Sequence, residues 1–146
     1  MTVAKLGSRS EGGDSLPRPT PSPDGLDAPY WSALRASRLL VQVCRSCEHH
    51  QFPPEWFCRS CHGSALDWTE LAAEGRIFSW ARVWHPVHPA LAADCPYTLV
   101  LVELDKGVRM LGRLLDEPEE GVSIGTTLRG VFQSVDPELT LLHWAV

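Results

Sequence analysis

The sequence predicts a mainly β fold, with a short N-terminal helix, a four-cysteine ribbon and a small five-stranded C-terminal barrel. Three observations predict it: paired Cys-x-x-Cys motifs at Cys44/Cys47 and Cys58/Cys61, five β-rich runs after Glu74, and one short stretch of helical spacing before the cysteines. A chain of 146 residues suffices for one ordinary domain carrying a tiny module. With 44% apolar and 21% charged residues, a buried core is available to most of it. The expected division is a flexible Pro-rich arm over 1–29, a docking helix over 30–40, the ribbon over 41–68 and the barrel over 69–146.

Residues 1–29 contain no aromatic residue and carry Pro17, Pro19, Pro21, Pro23 and Pro29 among Gly, Ser and Asp. Such a segment buries too little apolar surface to offset the entropy of ordering it, which predicts a flexible or extended arm. Composition changes abruptly at Tyr30. Pro29 suits the first position of a helix, and Trp31, Leu34 and Arg35 follow at one-turn spacing. A helix of two or three turns does not stand alone in water, so it is expected to dock.

The ribbon carries the strongest chemical signal. Cys44-Arg-Ser-Cys47 and Cys58-Arg-Ser-Cys61 are two knuckles, each able to wrap one edge of a metal ion and together supplying four thiolates in a tetrahedron. Four protein sulfurs leave no position open for water or substrate, so the site holds structure and does no chemistry. Zinc is the expected metal, with iron the rubredoxin-like alternative. A thioredoxin-type redox motif needs a βαβ context that this chain does not show. Tight knuckles often place Gly after the second cysteine, where this chain has Glu48 and His62. His49, His50 and His62 are spare ligands that four sulfurs make unnecessary. Between the knuckles, Phe52, Trp56 and Phe57 read as caps on the ribbon's small core or as a contact surface.

The five β runs are IFSWARVWH (77–85), YTLVLVELD (97–105), VRMLGRLLD (108–116), TTLRGVFQSV (126–135) and LTLLHWAV (139–146). Prolines 86, 89 and 96, Asp105-Lys106-Gly107, Pro118 to Gly121 and Asp136-Pro137 separate them. Lys106-Gly107 is short enough for a hairpin. In the first run Ile77, Ala81 and Val83 are placed on one face, with Phe78, Trp80 and Trp84 on the other. Apolar residues on both faces predict a barrel whose outer surface is partly covered. Gly112 and Gly130 are assigned to bends of a strongly curved barrel. Five strands in so short a stretch match a small Greek-key OB barrel better than a sandwich of seven. The loop from His85 to Tyr97, with His88, Asp94 and Cys95, reads as a proline-stiffened contact surface rather than a Cys/His catalytic set.

Composition excludes several functions. Thirteen Lys and Arg against 18 Asp and Glu give a net charge of −5, the wrong sign for a general nucleic-acid binder. No apolar run reaches membrane-spanning length, and residues 1–15 lack the apolar stretch of a secretory signal. A cytoplasmic location is therefore expected, where paired cysteines hold metal more often than disulfides. No nucleophile elbow, glycine-rich phosphate loop or framed carboxylate pair occurs, so no catalytic residue is assigned.

Helix, double knuckle and barrel in this order resemble the zinc-ribbon plus OB-fold acyl-CoA-associated family, formerly a domain of unknown function. The residues that carry the resemblance are PYWSALRASRLLVQVCRSC (29–47), QFPPEWFCRSCHG (51–63), LDWTELAAEGRIFSWARVWHPVHPA (66–90) and CPYTLVLVELDKGVRMLGRL (95–114), and it spans 29–146. The resemblance implies an accessory subunit of a thiolase-like enzyme acting on acyl-CoA thioesters, inactive alone. In the steroid-degrading branch that partner is a lipid-transfer-protein-type thiolase homologue, assembled with two copies of each chain. Together they cleave the side chain of a 17-hydroxy steroid acyl-CoA by retro-aldol reaction, the catalytic residues lying on the partner. A thiolase or acyltransferase complex with a non-steroid acyl-CoA is the nearer alternative, and a zinc-ribbon/OB nucleic-acid module the more distant one. Tyr30, Trp31, Phe52, Trp56, Trp80, Trp84, His85, His88 and Tyr97 are the expected contacts with partner or acyl-CoA, since aromatic residues dominate interface hot spots. Arg45, Arg59, Arg82, Arg109 and Arg113 are candidates to steer the phosphates of an acyl-CoA.

Overall fold

A computed structural model describes residues 17–22 and 25–146. Most of the 1–29 arm, residues 1–16 and 23–24, lies outside the described residues. Helix α1 runs Ala28–Arg35, with Pro29 at its first turn. It ends short of the expected span to residue 40. The Ala36 and Ser37 N–H groups cap the last carbonyls, Ser37 turns to a φ of 56°, and Leu39 begins a strand. LLVQVC is an apolar run with β-branched residues, and pairing with a distant partner settles it as strand rather than helix. Tyr30, Ala33 and Leu34 form the buried face of α1.

Two sheets follow. β1 (Leu39–Cys44) lies between β2 (His50–Gln51) and β3 (Leu66–Leu71), antiparallel to both, with Leu39 opposite Leu71 and Cys44 opposite Leu66. The second sheet has five strands: β4 (Glu74–Val83), β5 (Tyr97–Leu104), β6 (Arg109–Arg113), β7 (Thr127–Ser134) and β8 (Thr140–Ala145). All five correspond to the runs read from the sequence. Their order, β6-β5-β4-β7-β8, brings β6 and β8 to opposite edges. Those edges meet at a single parallel bridge, Leu114 to Trp144, where the Leu115 N–H also donates to the Trp144 carbonyl at 2.7 Å. The OB sheet is thus curled but not a closed barrel, because β6 stops at Arg113 before it can run alongside β8.

A bulge between Ile77 and Ser79 corrects the face assignment on β4. Ile77 pairs with Val102 and Trp80 with Val100, so Ile77 and Trp80 share the inner face, which is buried at Ile77 and opens to solvent at Trp80, 44% exposed. Ala81, opposite Leu99, lies on the outer one. Gly112 and Gly130 serve close approach. A Cβ on Gly112 would sit 2.6 Å from the Trp144 ring, and one on Gly130 2.6 Å from the Ala73 methyl.

One core joins the two sheets. Ile77, Val100, Val102, Met110, Leu128 and Trp144 fill the curled sheet, and Tyr30, Leu34, Leu39 and Val41 extend the same cluster beneath the ribbon. Among the described residues no helix is long and apolar enough to cross a membrane.

Candidate metal centre and aromatic surface

Cys44 ends β1 and Cys58 follows the loop that returns from β2, so each knuckle begins on a buried cysteine and exposes its second. The two knuckles fold alike. In the first, the Glu48 N–H donates to the Cys44 carbonyl at 2.8 Å and the Cys44 N–H to that of His49 at 2.9 Å. In the second, the His62 N–H donates to the Cys58 carbonyl at 2.9 Å and the Cys58 N–H to that of Gly63 at 2.8 Å. Glu48 and His62 occupy the positions where glycine is usual, and both take a left-handed φ, 60° and 64°. The chain makes the tight turn without glycine.

The four sulfurs converge within 4.8 Å of one another, with Cys44–Cys61 and Cys47–Cys58 each 3.6 Å apart. A tetrahedron with metal–sulfur bonds of about 2.3 Å has edges of about 3.8 Å, so the set fits a four-sulfur ion. Local electrostatics agree. The Ser46 N–H, with that of Cys47, holds the Cys44 thiol down to about 6 against the effect of burial. The Cys61 N–H, with that of Ser60, holds the Cys58 thiol below its ordinary value against the effect of burial. For Cys61 the Gly63 N–H lowers the pKa, but the neighbouring sulfurs outweigh it and push it up to about 11. Sulfurs this close cannot all ionise unless a cation offsets their repulsion. Among the described residues these cysteines are the one His/Cys/Asp/Glu group with metal-ligand spacing. His49, His50 and His62 stand outside it.

Sequence reasoning missed the element that shapes the loop between the knuckles. Gln42 and Gln51 are buried, 3% and 2% exposed, on neighbouring strands. The Gln51 Nε2 donates to the Gln42 Oε1 at 3.0 Å and to the Phe57 carbonyl at 3.2 Å. Gln42 donates to the Glu55 carbonyl and accepts from the Glu55 N–H, while the Gln51 Oε1 accepts from the Arg59 N–H. The Arg59 side chain adds bonds to the Phe52 and Pro53 carbonyls. A lone glutamine inside the apolar run LLVQVC was the available signal, because a buried amide must find partners.

Fixed backbone at Glu55, Phe57 and Arg59 presents Trp56 and Phe57 to solvent, 70% and 62% exposed. The other predicted contacts divide. Tyr30 is buried against Phe52, ring centroids 4.9 Å apart, and Trp31 is half-buried, its Nε1–H donating to Asp27 at 2.8 Å. Trp80, Trp84 and His85 are exposed on and just after β4. The His88 Nδ1 accepts from the Ala90 N–H and so caps the short helix Pro89–Asp94. Tyr97 is half-buried beneath the Arg113 guanidinium. These residues form no single cluster. The arginines are also dispersed: Arg82 pairs with Glu117 and with the buried Thr98, Arg109 with Glu103 over the Phe78 ring, and Arg59 with its own loop. Arg45 lies 3.9 Å from Asp67.

Comparison with known proteins matches both halves. Residues 31–67 match the ChsH2 rubredoxin-like zinc ribbon domain, and residues 68–133 the ChsH2 C-terminal OB-fold domain. A solved structure titled Ltp2-ChsH2(DUF35) aldolase superposes with a TM-score of 0.75 at 31% identity, over 86% of this chain and 98% of that one. A probable enoyl-CoA hydratase alpha subunit of Thermomonospora curvata is 33% identical over 124 residues, 85% of this chain. The 3-oxo-4,17-pregnadiene-20-carboxyl-CoA hydratase alpha subunit of Mycobacterium tuberculosis is 29% identical over 133 residues, 90% of this chain. The alignments span only 38% and 40% of those two relatives' lengths.

Proposed function

The chain belongs to the ChsH2 family of zinc-ribbon and OB-fold proteins, and from that premise we propose that it is a non-catalytic accessory subunit of a thiolase-like enzyme acting on acyl-CoA thioesters. The observation that carries this reading is the number of large aromatic side chains left exposed. Trp56, Phe57, Trp80 and Trp84 lie open on a scaffold held rigid beneath them, which is what a subunit that works by docking requires. The four cysteines support a structural role, since their sulfurs fill a tetrahedral ion's coordination. Zinc is the metal we assign, in keeping with the matched ribbon family.

The partner we infer is a lipid-transfer-protein-type thiolase homologue, two copies of each chain forming the complex. Its reaction is retro-aldol cleavage of a 17-hydroxy steroid side-chain acyl-CoA. The aldolase title of the superposed structure and the steroid acyl-CoA name of the mycobacterial relative support this choice. The arginines offered for steering phosphates are mostly committed to local carboxylates and carbonyls, which favours contact through the exposed aromatic residues. The test is purification of the native chain with whatever co-elutes, identified by mass spectrometry. A stoichiometric thiolase-like protein, zinc near one per chain, and cleavage of the steroid thioester by the complex but not by this chain alone are expected. Elution alone, or with nucleic acid, overturns the reading.

A further inference from the structure

Away from the cysteines, a second place sets polar groups against apolar walls. It is a cleft of about 550 Å³ between the β4–β5 connection and the β7–β8 hairpin, within the usual ~300–1,000 Å³ of small-molecule sites. Leu91, Tyr97, Val135 and Leu141 supply its apolar lining. Two polar side chains lining it keep hydrogen-bonding capacity unused among the described residues. Arg113 makes no hydrogen bond among the described residues; its nearest carboxylate, Asp94, is 3.7 Å away, and its guanidinium lies 5.3 Å from the Tyr97 ring centroid. The Nδ1 of His143 is buried and, among the described residues, has no hydrogen-bond partner. Burial, and then the charge of Arg113, push the His143 pKa below its ordinary value, which places the two side chains within each other's field.

Asp94 does not fill this gap. Both its oxygens are taken by Arg18, which donates to them at 2.9 and 3.1 Å. One carboxylate therefore serves two guanidinium groups, and the cleft carries one positive charge in excess.

We propose that this cleft binds a small amphipathic carboxylate, its head received by the Arg113 guanidinium with the His143 ring alongside and its apolar body lying against Leu91, Tyr97, Val135 and Leu141. A monoanion balances the single excess charge, whereas a phosphate dianion overshoots it beside Asp94. The planar guanidinium, with its donors open, matches the two oxygens of a carboxylate. This site is separate from the aromatic surface and does not depend on the accessory-subunit reading.

The test uses the full chain and octanoate as probe, followed by calorimetry and by the NMR signals of the His143 ring. Saturable one-to-one binding in the submillimolar range is expected, with a shift at His143. Octanol, which has the same body and no charge, and inorganic phosphate, which has charge and no body, are each expected to bind at least about tenfold more weakly. Arg113→Ala is expected to weaken octanoate by a similar factor, and Arg113→Lys by less, because it keeps the charge and loses the fork. A thermal melt confirms that each variant is folded, and the lysine variant carries the test if the alanine variant is not. No saturable binding up to about 5 mM octanoate overturns the proposal. So does octanol or phosphate binding as well as octanoate, or wild-type affinity in the folded variants.

Discussion

Around Gln42 and Gln51 the chain is held by sulfur and amide contacts, whereas around Val100 and Trp144 it is held by apolar packing. The ribbon's only fully buried side chains are polar or sulfur-bearing beyond β1's first half, while the curled sheet closes over Ile77, Val102, Met110 and Leu128. The two regions meet where Leu39 and Val41 enter the shared core. The difference teaches that a segment too small to bury a core can still present a rigid surface, provided that directional contacts replace the apolar ones. The sulfur, amide and apolar contacts of the comparison can be broken one at a time.

The largest effect is expected from Cys58→Ser. Metal binding to such a site contributes on the order of 10 kcal/mol to folding, and Cys58, 2% exposed, supplies one of the four sulfurs. The variant is expected to lose its metal and the exchange protection of amides from 44 to 66, while β5 and β7 amides stay protected. Hydrogen exchange read by mass spectrometry distinguishes the regions. Equal loss of protection in both would show that the metal supports the whole fold, and the comparison would fail.

Next comes the apolar side. Leu128→Ala removes a side chain that is 1% exposed, and such truncations cost about 2–5 kcal/mol. Gly112→Ala forces a methyl to 2.6 Å from Trp144, an overpacking worth about 1–3 kcal/mol. Both are expected to lower the urea midpoint of the sheet without changing metal content. Metal loss in either variant would mean that the ribbon depends on the sheet.

Gln51→Leu isolates the amide contacts. It leaves the Gln42 Oε1, the Phe57 carbonyl and the Arg59 N–H with fewer partners, and an unsatisfied buried polar group costs about 1–3 kcal/mol. The expected result is retained metal with faster exchange at Phe57 and Arg59 and a mobile Trp56, seen as increased fluorescence depolarisation. A rigid Trp56 in this variant would assign the loop's shape to the metal alone.

These two kinds of contact were unequally legible. Each strand of the curled sheet announced itself by composition and turn residues, because local propensity and tertiary packing agree there. The cysteine knuckles were legible from spacing. β1 was not: LLVQVC sits against a helix, and only its register with Leu66–Leu71 makes it a strand. The bulge after Ile77 was equally invisible, since an extra residue changes the faces without changing composition. Tyr30 looked like a surface aromatic because the partner that buries it, Phe52, lies on the far side of a knuckle. What the sequence hides is the long-range pairing.

The smallest expected effect concerns a fourth kind of contact, an exposed ion pair. Arg18 donates twice to Asp94, joining the N-terminal segment to the Pro89–Asp94 turn. The Arg18 hydrogen bond holds the Asp94 carboxyl below its ordinary value of 3.8 against the effect of burial, and the charges of Arg18 and Arg113 add to it. Because the folded pKa lies below the unfolded one, whatever stability the pair adds is present above about pH 4 and is lost as pH falls through the folded value. Arg18 is open to solvent, so the midpoint of global unfolding is expected to change little in Arg18→Ala. The Asp94 carboxyl carbon, followed by NMR from pH 6 to 2, is the sensitive probe. In the wild type its midpoint is expected below 3.8, and in the variant it is expected to rise toward that value. Identical midpoints would show that Arg18 leaves Asp94 in solution. Arg113 would then face that carboxylate alone, and the excess positive charge of the cleft would disappear with the pair.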